Sequence, residues 1–163
     1  MAAAYHEAGH AVVAHLSGRR VGSVRLPVAS DRAIGGVTEL VPLGPAEACS
    51  PRDQQIRLRV AARIALAGGL AERHHLMTGG SSDTRRDGAS LAIGTQHDRL
   101  KAERFASLLA EQHGRDAVRE LQDAAAACTH LLRQHWPLVR AVAQLLVQGQ
   151  PVDSARIAAL ARS

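Results

Sequence analysis

Apolar and polar positions divide the chain into helical blocks and one short β-like stretch. Ala3, Ala8, Ala11, Val12, Val13 and Ala14 make the segment from Ala2 to Leu16 apolar almost all round, and Gly18 ends it. A buried helix is expected there. Val21, Val24, Leu26 and Val28 follow among Gly and Pro, and then Val37-Thr38-Glu39-Leu40-Val41 between Gly35-Gly36 and Pro42. These read as two short strands, a hairpin or small sheet near residues 21–41. Val37, Glu39 and Val41 alternate with Thr38 and Leu40, so one face can be buried.

Ser50-Pro51-Arg52-Asp53 is a helix start, with Ser as cap, Pro at the first position and an acid in the first turn. Ile56, Val60, Ile64 and Leu66-Ala67 carry its apolar stripe towards Leu76. Gly79-Gly80-Ser81-Ser82 breaks the chain. A further helix is expected from Ser82 or Asp83 to near Gly114, weakened at Gly88 and Gly94. Beyond Asp116 lie a long helix to near His135, one opened by Pro137, and a short one from Ser154 with Ile157, Leu160 and Ala161 as its stripe. The expected fold is mainly α: one domain over residues 1–163, helical, with the small hairpin or sheet.

Composition narrows this picture. Aromatic residues are 2% of the 163, so Ala, Leu, Val and Ile must form the core, which favours close helix packing. The charge is +5, but the arginines are scattered and no aromatics interleave them for base stacking, so nucleic acid is not expected as a partner. Lys101 is the only lysine and follows no glycine-rich run, which excludes a P-loop. Cys49 and Cys128 form no CxxC pair and suit a reducing, cytoplasmic location. No apolar run is long enough for a membrane segment, and Ala2-Ala3-Ala4 does not read as a signal peptide. A motif as early as His6 fits a fragment of something longer.

His6-Glu7-Ala8-Gly9-His10 is H-E-x-x-H on the first predicted helix. Residues four apart share a helical face, about 6 Å apart at Cβ. Two imidazoles can then grip one zinc ion, and Glu7 beside them can take a proton from its water. Chance gives about 0.02 such matches in a chain of this composition. A polar surface helix does not explain the apolar setting, where unpartnered His and Glu are costly. Catalytic zinc usually has three protein ligands and an open position. Spacing leaves the third among Asp83, just past the Gly-Gly-Ser-Ser turn, Asp87 one turn on, Glu72, and the His74-His75 pair. Asp83 holds a modest lead, although an acid there also complements a helix dipole. His15, His113 and His130 read as surface or capping residues, and Trp136-Pro137 as a helix junction.

Tyr5-His6-Glu7-Ala8-Gly9-His10-Ala11-Val12-Val13-Ala14 resembles the zinc-site helix of the FtsH-type metalloproteases. The likeness extends to Val21–Leu26 with Gly35–Thr38, to Ala67-Gly68-Gly69-Leu70-Ala71-Glu72, and to Thr78-Gly79-Gly80-Ser81-Ser82-Asp83. It continues as a pattern of apolar positions from Leu131 to Ile157. The resemblance implies zinc as cofactor, His6, His10 and Asp83 as ligands, and Glu7 as general base. It departs from the family in lacking an ATPase module, in Ser82 and Thr84, and in one extra residue between Asp83 and Ala92, which keeps Asp87 open as the ligand.

The expected function is a zinc metalloendopeptidase acting on unfolded or flexible polypeptides, with cleavage independent of ATP. Alternatives are a non-catalytic, zinc-stabilised interaction module and a regulatory peptidase with a single partner. The intact Glu7 favours an enzyme, because a purely structural zinc has no use for a base. Partners are a polypeptide substrate and either a separate ATPase or further copies of the chain. Gly36, Val37, Thr38 and Glu39 are candidate substrate-binding residues, on an edge strand that an extended peptide could join. A strand fully paired within the sheet is the competing expectation.

Overall fold

The computed structural model describes residues 1–26, 36–43, 49–78 and 88–162. Among them are six helices and one antiparallel strand pair: α1 (Ala2–Leu16), β1 (Val21–Arg25), β2 (Val37–Leu40), α2 (Pro51–Met77), α3 (Gly88–His113), α4 (Ala117–Gln134), α5 (Trp136–Val147) and α6 (Ser154–Leu160). The mainly helical expectation holds. The helix start expected at Ser82 or Asp83 lies outside the described residues. No described helix is long and apolar enough to cross a membrane.

Local chemistry sets the helix ends. Ser50 caps α2, its hydroxyl oxygen accepting from the Asp53 N–H at 3.1 Å while Pro51 stands at the first position. Asp116 caps α4 by accepting from the Val118 N–H, and Asp153 caps α6 by accepting from the Arg156 N–H. Gly114 has a φ of 61°, which lets the chain turn sharply from α3 into α4.

The middle of the molecule is α1. Every residue from Ala4 to Ala14 is buried. A helix apolar on all sides can only sit among other elements, and α1 meets α2, α5 and both strands. Its core partners include Val60, Ile64 and Ala67 of α2, Cys128 and Leu132 of α4, Val139 and Val142 of α5, and Ile157 of α6. With so few aromatics, small side chains let the backbones come close. At Gly9 an added Cβ would lie 2.5 Å from the Ala67 carbonyl oxygen and 2.6 Å from the Ala71 Cβ.

In the sheet Arg25 pairs with Val37, Val24 with Thr38 and Ser23 with Glu39. An irregularity between Val21 and Ser23 then sets Val21 opposite Leu40. The Val24 N–H donates to the Val152 carbonyl at 3.0 Å, and the Val21 N–H donates to the Ser154 hydroxyl at 2.7 Å. The segment leading into α6 therefore covers the far edge of β1. In an antiparallel ladder paired residues alternate between bonding each other and facing outward. Val24 bonds Val152, so its partner Thr38 turns its own N–H and C=O away from β1. Among the described residues β2 pairs with β1 alone.

The Gly9 contact leads to a prediction. A methyl group there strikes backbone, which cannot step aside, so Gly9→Ala should destabilise the fold by about 1–3 kcal/mol despite the better helix propensity of alanine. Urea denaturation monitored by circular dichroism measures it; an unchanged midpoint would show that α1 and α2 can separate freely.

Candidate metal centre

His6, Glu7 and His10 are buried on α1, at 5%, 4% and 8% exposure, so each needs a partner. The His10 Nδ1–H donates to the Ile64 carbonyl of α2 at 2.7 Å. That bond fixes the ring and aims Nε2 away from the backbone. The Nδ1 of His6 lies 3.3 Å from the Glu72 carboxylate, also on α2. Both imidazoles are thus held from behind by one helix. Their Nε2 atoms converge to 3.1 Å.

The third group in this convergence is Asp98 of α3. Its Oδ2 lies 3.0 Å from the His6 Nε2 and 2.9 Å from the His10 Nε2. His6, His10 and Asp98 can together hold a metal ion. Two imidazole nitrogens and one carboxylate oxygen are a zinc donor set. Tetrahedral ligands at bond lengths of about 2.0–2.1 Å stand about 3.3 Å apart. The observed separations need only a small expansion to reach that. Gly68 of α2 leaves the space: an added Cβ would press on the Nε2 atoms of both histidines, 2.6 Å from that of His6. The donor set and this cradle fit the zinc that the motif implies.

Glu7 sits beside the trio, facing the strand pair. The Thr38 hydroxyl donates to Glu7 Oε2 at 2.7 Å. On its other side is Gly36, where an added Cβ would stand 2.5 Å from the Glu7 Cγ and 2.7 Å from Oε1. The carboxylate is confined between a hydroxyl and a bare Cα.

Burial disfavours charge on both His6 and Asp98, yet their contact outweighs it. For His6, the hydrogen bonds it donates to Asp98 and Glu72 and the charges of Glu7 and Asp98 raise its pKa to about 9. For Asp98, the hydrogen bonds it accepts from His10 and His6 and their charges hold the carboxyl well below the usual range. Lys101 adds a weaker contact, 3.8 Å from the other Asp98 oxygen.

The expected site residues are placed unevenly. His6, His10 and Glu7 come together. Asp83 and its alternative Asp87 lie outside the described residues. Glu72 touches the rear nitrogen of His6 rather than the converging one. His75 stacks on Tyr5 at 3.7 Å, and His74 meets Trp136 edge-on at 4.3 Å, so this pair packs the junction of α1, α2 and α5. Of the substrate candidates, Gly36 and Thr38 lie against Glu7. Val37 is exposed, and Glu39 turns outward to accept from Ser23 and Arg25. Sequence reasoning passed over Asp98. A signal was present: Ala102, Ala106 and Leu109 form the buried stripe of α3, and Asp98 stands on that stripe one turn earlier.

No family model matches the chain. Across 96% of its length it is 29% identical to the ATP-dependent zinc metalloprotease FtsH 2 of Sphaerobacter thermophilus, of which it covers 26%. The match points at most to a distant FtsH-related link. It spans about a quarter of the length of that curated relative.

Two outcomes follow from this geometry. Gly68→Ala should keep its helical signal but lose most zinc binding, because the methyl takes the space between the imidazoles; zinc content after dialysis, beside His10→Ala as reference, measures this. The second outcome concerns the metal-free chain. A folded-state His6 pKa raised from 6.5 to about 9 supports the fold fully below pH 6.5, and the support fades as pH rises through about 9. Melting temperatures of chelated protein should fall across that window, and His6→Gln should remove this part of the fall.

Proposed function

We propose that this chain is a zinc-dependent endopeptidase unit in which His6, His10 and Asp98 hold the metal and Glu7 is the general base. The observation that carries the reading is the convergence of two Nε2 atoms and one carboxylate oxygen within about 3 Å, next to a carboxylate that is not part of the trio. The link to a zinc metalloprotease supports it. Zinc bound there supplies Lewis acidity towards water and a carbonyl oxygen.

The chain's own residues supply the rest. Glu7 takes the proton from the attacking water and passes it to the departing amine. Thr38 occupies its Oε2, which leaves Oε1 to carry that proton. An extended polypeptide can join the outer edge of β2, with the outward N–H and C=O of Thr38 as the central pair of hydrogen bonds. Main-chain pairing demands little of the substrate's side chains but requires an extended segment. It also fixes the scissile bond beside Glu7, which lowers the entropic part of the barrier. The substrate class is therefore unfolded or flexible polypeptide. The sole lysine follows no glycine-rich loop, so this unit has no P-loop of its own to drive unfolding by ATP hydrolysis.

The test is a set of variants assayed for zinc content and for cleavage of casein or a fluorogenic peptide. Glu7→Gln should keep the metal and lose roughly 10²–10⁴ in turnover. Asp98→Asn should lower zinc affinity strongly, while Asp83→Asn should leave it near wild type. If Asp83→Asn loses the metal and Asp98→Asn does not, the third ligand is Asp83. A Glu7→Gln protein that still cleaves would remove Glu7 from the reaction.

A further inference from the structure

The side chain and the backbone of Thr38 face two different tasks. Its backbone N–H and C=O turn towards the outer edge of β2, which no described strand covers, because its partner Val24 bonds Val152 instead. Its hydroxyl turns the other way, donating to Glu7 Oε2 at 2.7 Å and touching the Glu7 carbonyl at 3.3 Å. The strand faces agree: Thr38 and Leu40 are half-buried while Val37 and Glu39 are exposed. A hydroxyl turned under the sheet needs a polar partner there, and Glu7 is that partner. On the opposite side of the carboxylate, Gly36 leaves room for Oε1 that a side chain would fill.

We propose that Thr38 is a positioning residue for Glu7: its hydroxyl locks the carboxylate rotamer so that Oε1 faces the reacting water, and β2 thereby aims the base with the same residue that receives the substrate. The role rests on the reading of Glu7 as general base. A glutamate has three side-chain torsions, and a base must be held within a fraction of an ångström to act at full rate. Buried α1 fixes the Glu7 backbone, and among the described residues the Thr38 hydroxyl and the bare Gly36 Cα confine its far end. Peptide addition to β2 would steady the strand carrying that hydroxyl, so substrate binding and base alignment share one element.

The experiment uses the full, zinc-loaded chain and a fluorogenic peptide. Thr38→Val keeps the outward N–H and C=O and loses only the hydroxyl. It should lower kcat about tenfold or more, the rate equivalent of one hydrogen bond to a charged group, with KM and zinc content unchanged. Thr38→Ser restores the hydroxyl and should recover most of kcat. Thr38→Pro removes the backbone donor as well and should raise KM in addition. A second measurement does not depend on turnover. With glutamate labelled at Cδ with ¹³C, Glu7→Gln assigns the Glu7 carboxyl resonance. That resonance should shift in Thr38→Val, or in Thr38→Ala if the valine variant fails to fold, and return in Thr38→Ser. Wild-type kcat in Thr38→Val, or a Glu7 resonance that does not move, would overturn the role. If the wild-type chain cleaves no peptide, the peptidase reading fails, and the resonance still decides whether Thr38 holds Glu7.

Discussion

Two helices meet backbone to backbone along Gly9 and Gly68, and the rest of the centre depends on that contact. Gly9 of α1 lets the Ala67 carbonyl approach, and Gly68 of α2 gives up the volume into which both imidazoles turn. At ordinary interaxial distances of about 8–10 Å, bulkier side chains would separate the two helices and fill this space. The same closeness puts the Ile64 carbonyl and the Glu72 carboxylate behind the rings. One helix therefore presents the nitrogens while its neighbour sets their direction. The alanine-rich, aromatic-poor composition is what permits it.

Burying His, Glu and Asp together is costly, and each group here has a specific answer. His10 donates a hydrogen bond to the Ile64 carbonyl, His6 and Asp98 carry opposite charges, and Glu7 accepts from Thr38. Such a cluster holds together because every member is partnered; removal of one leaves the others exposed to the full cost of desolvation. The groups come from α1, α2, α3 and β2, so the cluster also ties those elements to one another.

The elements of the fold were legible where local rules dominate. The apolar run of α1, the Ser50-Pro51 start of α2 and the Asp116 and Asp153 caps all act within a few residues. His6, Glu7 and His10 were legible for the same reason, because a helical repeat alone places i and i+4 on one face. Asp98 was not, since its distance from His6 is set by how α3 lies across α2. Asp83, which the turn chemistry before it singled out, lies outside the described residues. Alternation in β2 showed two faces without saying which was buried. Val37 would be expected inward by hydrophobicity, yet the inner face carries Leu40, packed on the core, and Thr38, which meets the Glu7 carboxylate.

The strand pair has a direction of growth. Among the described residues β1 is flanked on both sides, by β2 and by the Val152–Ser154 segment, while β2 has a neighbour on one side. Among the described residues, the edge left for a further strand is that of β2. The tether at Val152 thus acts as a polarity device: among the described residues it occupies the far edge of β1 and leaves the outer edge of β2, the strand that holds Thr38 against Glu7, without a neighbour.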